Sequence, residues 1–411
     1  MRFARAVPPT AAGAWSKAAG YKTPPYGAQE LDIQDLSRLR ADQVGSLLRP
    51  AWLKDMFARH AAGRAGPAEL EQAKDEAVRD VVAKQVMHGL PVLTDGEFRR
   101  VGFQDSFGDS VTGYDLGTDA PRQVEDTREA HPLERVAQKL SDPGPAVARR
   151  RPVREPLRLV RNVPLEEYRA AAALTDRPVK VALVGPDRIS QRFAWERSRD
   201  IYATMDDFLR DVVSIERQMV EELVDAGCRY VQMDAPGFTA YVDPPSLEQM
   251  RARGEDPDVN LSRSIEAENA VIRGFPGVTF GLHICRGNER SMWHREGHYD
   301  AISERLFGGL RHERLLLEYD SDRAGGFEPL RSIRPGTVAV LGLITTKTPQ
   351  IESVDGLERR ILQASSYCAL EQLALSPQCG FSSGLAGNLL GEEDQWLKLD
   401  VMMRTVDLVW G

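Results

Sequence analysis

Long apolar runs are missing from this 411-residue chain; none approaches the roughly 20 residues needed to span a bilayer, so no membrane helix is expected. Excess positive charge is missing too. A formal net charge of -8 argues against a broad nucleic-acid-binding surface. Met1 to Ala14 carries Arg2 and Arg5 but no apolar h-region, so no secretory signal is expected. Cysteine is scarce: Cys228, Cys285, Cys368 and Cys379 are the full set. So few in so long a chain make no disulfide framework, and a reducing cytoplasm is the natural setting. No CxxC spacing occurs, which counts against a structural zinc finger, and no internal repeat of fixed period is found.

What is present is alternation. Residues 1–39 are rich in Ala, Pro and Gly without sustained periodicity, and read as an N-terminal extension, draped over the body or partly disordered. Beyond them short apolar runs alternate with amphipathic stretches, the mark of βαβ units around a parallel sheet. Eight strands are expected at 40–44, 91–94, 179–184, 230–233, 278–283, 314–317, 338–343 and 372–375. Helices are expected at 67–88, where a proline opens the run, and at 205–226, which Gly227 ends. Further helices are expected at 262–272, 299–307, 357–370 and 392–409. Eight strands with intervening helices predict an α/β fold, a (β/α)8 TIM barrel over residues 40–411, with a doubly wound open sheet as the alternative. Residues 101–177 are too long and irregular for a minimal barrel, and are expected to form an insertion after the second strand, a helical subregion or hairpin. Its Pro- and Arg-rich piece, 142–156, reads as a loop.

In such a barrel the reactive groups belong just after the strands, at their C-terminal ends. Gly45 and Ser46 follow the first strand, and Asp95, Gly96 and Glu97 the second. Asp234 follows the fourth, His283 and Cys285 the fifth, and Glu318 the sixth. Thr345, Thr346 and Lys347 follow the seventh, and Cys379 the eighth. Residues two apart in an extended segment point to the same side, so His283 and Cys285 can face one ion. Cys379 joins them only if the sheet closes. Imidazole and thiolate are zinc's preferred ligands, and a Cys2His set leaves a fourth position open for chemistry, where Glu318 could sit until substrate displaces it. A lone His-x-Cys is more often a core pair; its company at the strand ends argues for metal. Zinc makes a bound sulfur a thiolate outright, and the thiolate is the nucleophile. The ligand set therefore suits alkylation of sulfur better than activation of water.

The pieces ADQVGSLLRP, LTDGEFRR, GCRYVQMD, GLHICRGN, LLLEYD, LGLITTKTP and LSPQCGF, in this order from about Arg40 onward, resemble the cobalamin-independent methionine synthase family, specifically its C-terminal catalytic barrel and shorter single-barrel relatives. The resemblance implies zinc held by His283, Cys285, Glu318 and Cys379. It also implies that Val44, Gly45, Ser46, Glu97 and Asp234 hold the amino-acid part of homocysteine. A carboxylate on the substrate ammonium is physically sensible at Glu97 and Asp234; the plainer alternatives are pairing of Glu97 with Arg99 or Arg100, and a turn cap by Asp234. Three departures bear on the alkyl donor. The chain has no room for the extra N-terminal barrel of the folate-dependent enzymes. Residues 344–347 lack the histidine those enzymes place after the seventh strand. Ala235 stands where the family often has glutamate.

Single-barrel relatives include enzymes that take methyl from methylcobalamin and others that open epoxides with a thiol such as coenzyme M. The expected reaction is therefore zinc-dependent methyl or alkyl transfer to a thiol, with homocysteine as default acceptor and methionine as product. A donor pocket is expected near Phe103, Phe107, Phe238, Tyr241, Trp293, Thr346 and Lys347, with loop packing as the plain alternative for the aromatics. His294 and His298 are candidate proton donors or surface helix-start residues. Expected partners are the small-molecule thiol and alkyl donor, and neither nucleic acid nor membrane; a homo-oligomer and a corrinoid protein are the candidate macromolecular partners. The competing functions are a metal-free lyase like the related tetrapyrrole decarboxylases, against which His283, Cys285 and Cys379 argue, and a non-catalytic zinc- or corrinoid-binding protein.

Overall fold

The computed structural model describes residues 35–115 and 150–411. Most of the expected N-terminal extension, and residues 116–149 of the expected insertion, lie outside the described residues.

Two short strands, β1 (Val111–Tyr114) and β2 (Val153–Leu159), pair antiparallel. Six more form a parallel sheet in chain order: β3 (Lys180–Val184), β4 (Tyr230–Asp234), β5 (Thr279–Ile284), β6 (Arg314–Glu318), β7 (Val338–Ile344) and β8 (Leu373–Pro377). Every residue of these six is buried, as expected for parallel strands covered on both faces.

The first two expected strands appear as single parallel bridges, Ala41 to Leu375 of β8 and Leu93 to Val179 beside β3. Side chains do the work of the missing ladder. Gln43 Nε2 donates to Val92 O at 3.1 Å, and Thr94 Oγ1 to Gly45 O at 2.7 Å. Gln85, on the helix Pro67–Met87, both donates to Thr94 O (2.8 Å) and accepts from Thr94 N (3.0 Å). These segments join β8 back to β3 and close the ring. The fold is a (β/α)8 barrel, and the open-sheet alternative falls.

The ring is also tied across its interior. Asp42 accepts from Lys180 Nζ (2.7 Å), Arg314 Nε (2.9 Å) and Tyr230 Oη (2.6 Å), all fully buried. The two cations outweigh burial and hold the Asp42 carboxyl below its usual range. One carboxylate thus fastens the weakly laddered first segment to β3, β4 and β6.

The outer helices start where side chains can satisfy free N–H groups. Thr204 and Asp207 cap each other's backbone at the head of Met205–Asp225, and Gly227 turns the chain left-handed just past its end (φ 101°). The expected helix at 262–272 begins earlier, at Pro257, because Asp256 caps there. The run at 299–307 splits into a 3-10 turn and a short helix, Ser303–Gly309, and that at 357–370 lies at Val354–Ala364. Among the described residues, no helix is long and apolar enough to cross a membrane.

Candidate functional site

β5 delivers His283 to the C-terminal rim of the barrel beside Asp234 of β4, its register partner, and Cys285 follows immediately. Cys379 arrives from the turn after β8. The ligand atoms of His283, Cys285 and Cys379 all lie within 4.8 Å of one another, and all three residues are buried. Neither ring nitrogen of His283 has a hydrogen-bond partner of good geometry. A buried imidazole with both nitrogens unsatisfied is costly, and a cation between it and two sulfurs removes that cost. The hydrogen bond from Cys379, with the His283 imidazole close by, brings the Cys285 thiol well below its usual range; Cys379, facing that thiolate and buried, is raised well above. The side chains present thus fit a Cys2His metal centre.

Glu318, the last residue of β6, is fully buried and sits outside that three-residue group. Its Oε2 accepts from Arg286 N (2.8 Å) and its Oε1 from Arg323 Nη2 (2.6 Å). Burial works against the charge, but Lys347, Arg323 and Arg286 prevail and hold the carboxyl below its usual range. Three of the four expected ligands are therefore together, while the fourth is occupied by an arginine.

Lys347 Nζ donates to Gly287 O and Asn288 Oδ1, both at 2.7 Å. Asn288 Nδ2 in turn donates to Thr346 Oγ1 (2.8 Å) and Gly380 O (2.6 Å). One amide thus stitches the loops after β5, β7 and β8 around the sulfurs. Asn288 was in plain view in GLHICRGN, yet nothing local marks an asparagine as a staple.

Val44, Gly45, Asp95 and Glu97 line a cavity with Arg100 and Lys180. Glu97 is buried at φ 56°, an uncommon backbone for a side chain larger than glycine. Arg99 pairs instead with Glu71 and Asp75, and Arg100 is taken bidentately by Glu167 (2.8 and 2.7 Å), standing 3.9 Å from Glu97. One Glu97 oxygen has no hydrogen-bond partner. Burial pushes its carboxyl up to about 8, helped by Asp234, Asp95 and Glu167 and opposed by Arg100. Asp95 rises to about 6 for the same first cause. Asp234, also raised by burial, accepts from Gln232 Nε2 at 2.7 Å. Three crowded carboxyl groups short of positive charge suit a cationic ligand. Ser46 is buried beside them, its carbonyl accepting from Phe381 N (2.8 Å).

The expected donor-pocket residues divide. Phe107, Phe238 and Tyr241 are in the main hydrophobic core, and the Tyr241 hydroxyl is spent on Asp187 and Ser264 (both 3.2 Å). Phe103 is half-buried. Trp293 is half-buried with Arg323 stacked 4.4 Å from its ring centre. His294 packs its ring on Gly287, and His298 is exposed against Gly325.

No family model matches the chain. It is 35% identical over 376 residues to the protein YxjG of Bacillus subtilis (strain 168), covering 90% of this chain and 94% of that one. It is 23% identical over 376 residues to the methionine synthase of Pyrococcus abyssi (strain GE5 / Orsay), covering 91% and 94%. Among solved structures it resembles a candidate vitamin-B12 independent methionine synthase from Listeria monocytogenes, with a TM-score of 0.69, 25% identity, and coverage of 92% of this chain and 99% of that one.

Proposed function

The chain belongs to the cobalamin-independent methionine synthase family, and from that premise we propose that it transfers a methyl or other alkyl group to a zinc-activated thiol, with homocysteine as acceptor and methionine as product. The observation that carries this is the buried His283, Cys285 and Cys379 group, whose ligand atoms lie within 4.8 Å of one another. His283, Cys285 and Cys379 would hold zinc, with Glu318 as an exchangeable fourth ligand, and the metal would supply deprotonation of a substrate thiol at neutral pH, the two anionic cysteines keeping it a mild Lewis acid.

The chain's own residues supply the rest. Glu97 and Asp234 receive the acceptor's ammonium group: one Glu97 oxygen lacks a partner, and the incoming cation favours the ionised carboxylates that burial by itself disfavours. The backbone at Val44, Gly45 and Ser46 seats the rest of the amino acid. Burial of the whole group keeps water from competing for the alkyl carbon. The sulfur attacks in line, the new S–C bond forms as the carbon's bond to its leaving group breaks, and the electron pair departs with the donor. The absence of a histidine at 344–347 and the alanine at 235 point away from folate polyglutamate, and methylcobalamin is the donor to test first.

The test is metal content and turnover measured together. Cys285→Ala and Cys379→Ala are each expected to lose bound zinc and methyl transfer from methylcobalamin to homocysteine, followed in the corrinoid spectrum. Full activity in stoichiometrically metal-free protein would overturn the mechanism.

A further inference from the structure

After β3 the chain turns through Gly185, Pro186 and Asp187 to Arg188, on the same rim as Cys285. Arg188 is only 5% exposed. A guanidinium has five N–H donors. Here Nε donates to Gln104 Oε1 at 3.0 Å, and neither Nη group has a hydrogen-bond partner among the described residues. A buried arginine ordinarily recovers its lost hydration from a carboxylate, as Arg100 does from Glu167.

The acid next to Arg188 is committed elsewhere. Asp187 Oδ1 accepts from Ser264 Oγ (2.7 Å) and Tyr241 Oη (3.2 Å), and its carboxylate fills the space that a β-carbon on Gly237 would need. The other charges acting most strongly on Arg188 include Arg295 and Arg192, both of its own sign. Arg295 is fixed by Pro236 O (2.8 Å) and Gln191 Oε1 (3.1 Å) and cannot swing away without breaking them. Burial first, then these two arginines, brings Arg188 down to about 9. Cys285 is within electrostatic reach of Arg188 and Arg295, and also of Asp234. Two kinds of charge therefore act on the sulfur from the rim: an acidic group suited to an ammonium, and a basic group with donors to spare.

We propose that Arg188 anchors an oxyanion, a carboxylate, sulfonate or phosphate group carried by the alkyl donor, at the strand-end rim that also carries Cys285. That the anion belongs to the donor rests on the transfer reaction proposed above; the anion site itself does not.

The full chain, loaded with zinc, is titrated calorimetrically with acetate, methanesulfonate and inorganic phosphate at constant ionic strength. At least one is expected to saturate a single site per chain, and the tightest of the three assigns the donor's group. Arg188→Gln should weaken that binding about tenfold or more, with Arg188→Lys in between. The Arg188→Gln protein should melt no lower than wild type, because it loses a charge that burial and two neighbouring arginines disfavour. Cys379→Ala, which disables the metal centre, should keep the anion. Anion binding lost in Cys379→Ala but kept in Arg188→Gln would put the anion on the metal and overturn the proposal. So would equal binding by wild type and Arg188→Gln, or no saturable binding at all. Binding that depends on Arg188 in a protein that transfers no alkyl group would sink the reaction and leave this site standing.

Discussion

Glu97→Gln should make the metal-free, substrate-free protein more stable while weakening its hold on the acceptor. The Glu97 carboxyl is pushed up to about 8 against an ordinary value of 4.5. In the window between those values the folded protein holds a proton that the unfolded chain gives up. Stability therefore falls as pH rises, by about 1.4 kcal/mol per pH unit from this one group. At pH 7.5 the accumulated cost is about 4 kcal/mol. Glutamine mimics the protonated acid without competing for ionisation in the unfolded chain, so a gain of about 2–4 kcal/mol is expected. Urea unfolding of chelator-stripped protein at pH 5.5, 6.5 and 7.5 measures it: the mutant's advantage should widen at each step. The same change removes a charge-assisted bond to the acceptor's ammonium, for about a 10- to 100-fold rise in homocysteine KM. A mutant less stable than wild type at pH 7.5, or one with the wild-type pH slope, would refute the account of Glu97 as an acid held under strain for its ligand.

Asp42→Ala leaves Lys180 and Arg314 buried without their shared carboxylate, so it should cost about 3–5 kcal/mol in urea unfolding. A loss below about 1 kcal/mol would mean that the barrel interior solvates those cations by other means. Arg323→Met releases Glu318 Oε1 from its 2.6 Å bond and should tighten zinc about fivefold in competition with a chelator. Unchanged affinity would argue against Glu318 as the exchangeable ligand.

Six of the eight strands were legible to within a residue or two at most ends, because a parallel strand buried on both faces must read as an unbroken apolar run, as LLLE and VAVLGLI do. The segments at 40–44 and 91–94 were placed correctly but not as regular strands. Each keeps one backbone bridge to a neighbouring strand, and side chains such as Gln85, whose contact with Thr94 depends on how a helix packs, supply further partners. Position after a strand located Glu97 and Asp234 on the rim. It could not say that Phe107, Phe238 and Tyr241 turn into the core, since adjacent loop residues reach either side. Nor could it foresee that Arg323 would take Glu318, or that Arg188 would be buried with its Nη groups unpartnered.

What the chain's order of residues settled alone is local: the phase of each strand, and that His283 and Cys285, two apart in extended backbone, share a side. Such features depend on neighbours in the chain. The meeting of Cys379 with that pair, the pairing of Glu318, and the pKa values of the rim carboxyls depend on the ring closing. Ring closure brings distant strand ends together and excludes water from the space between, and no local pattern encodes either one.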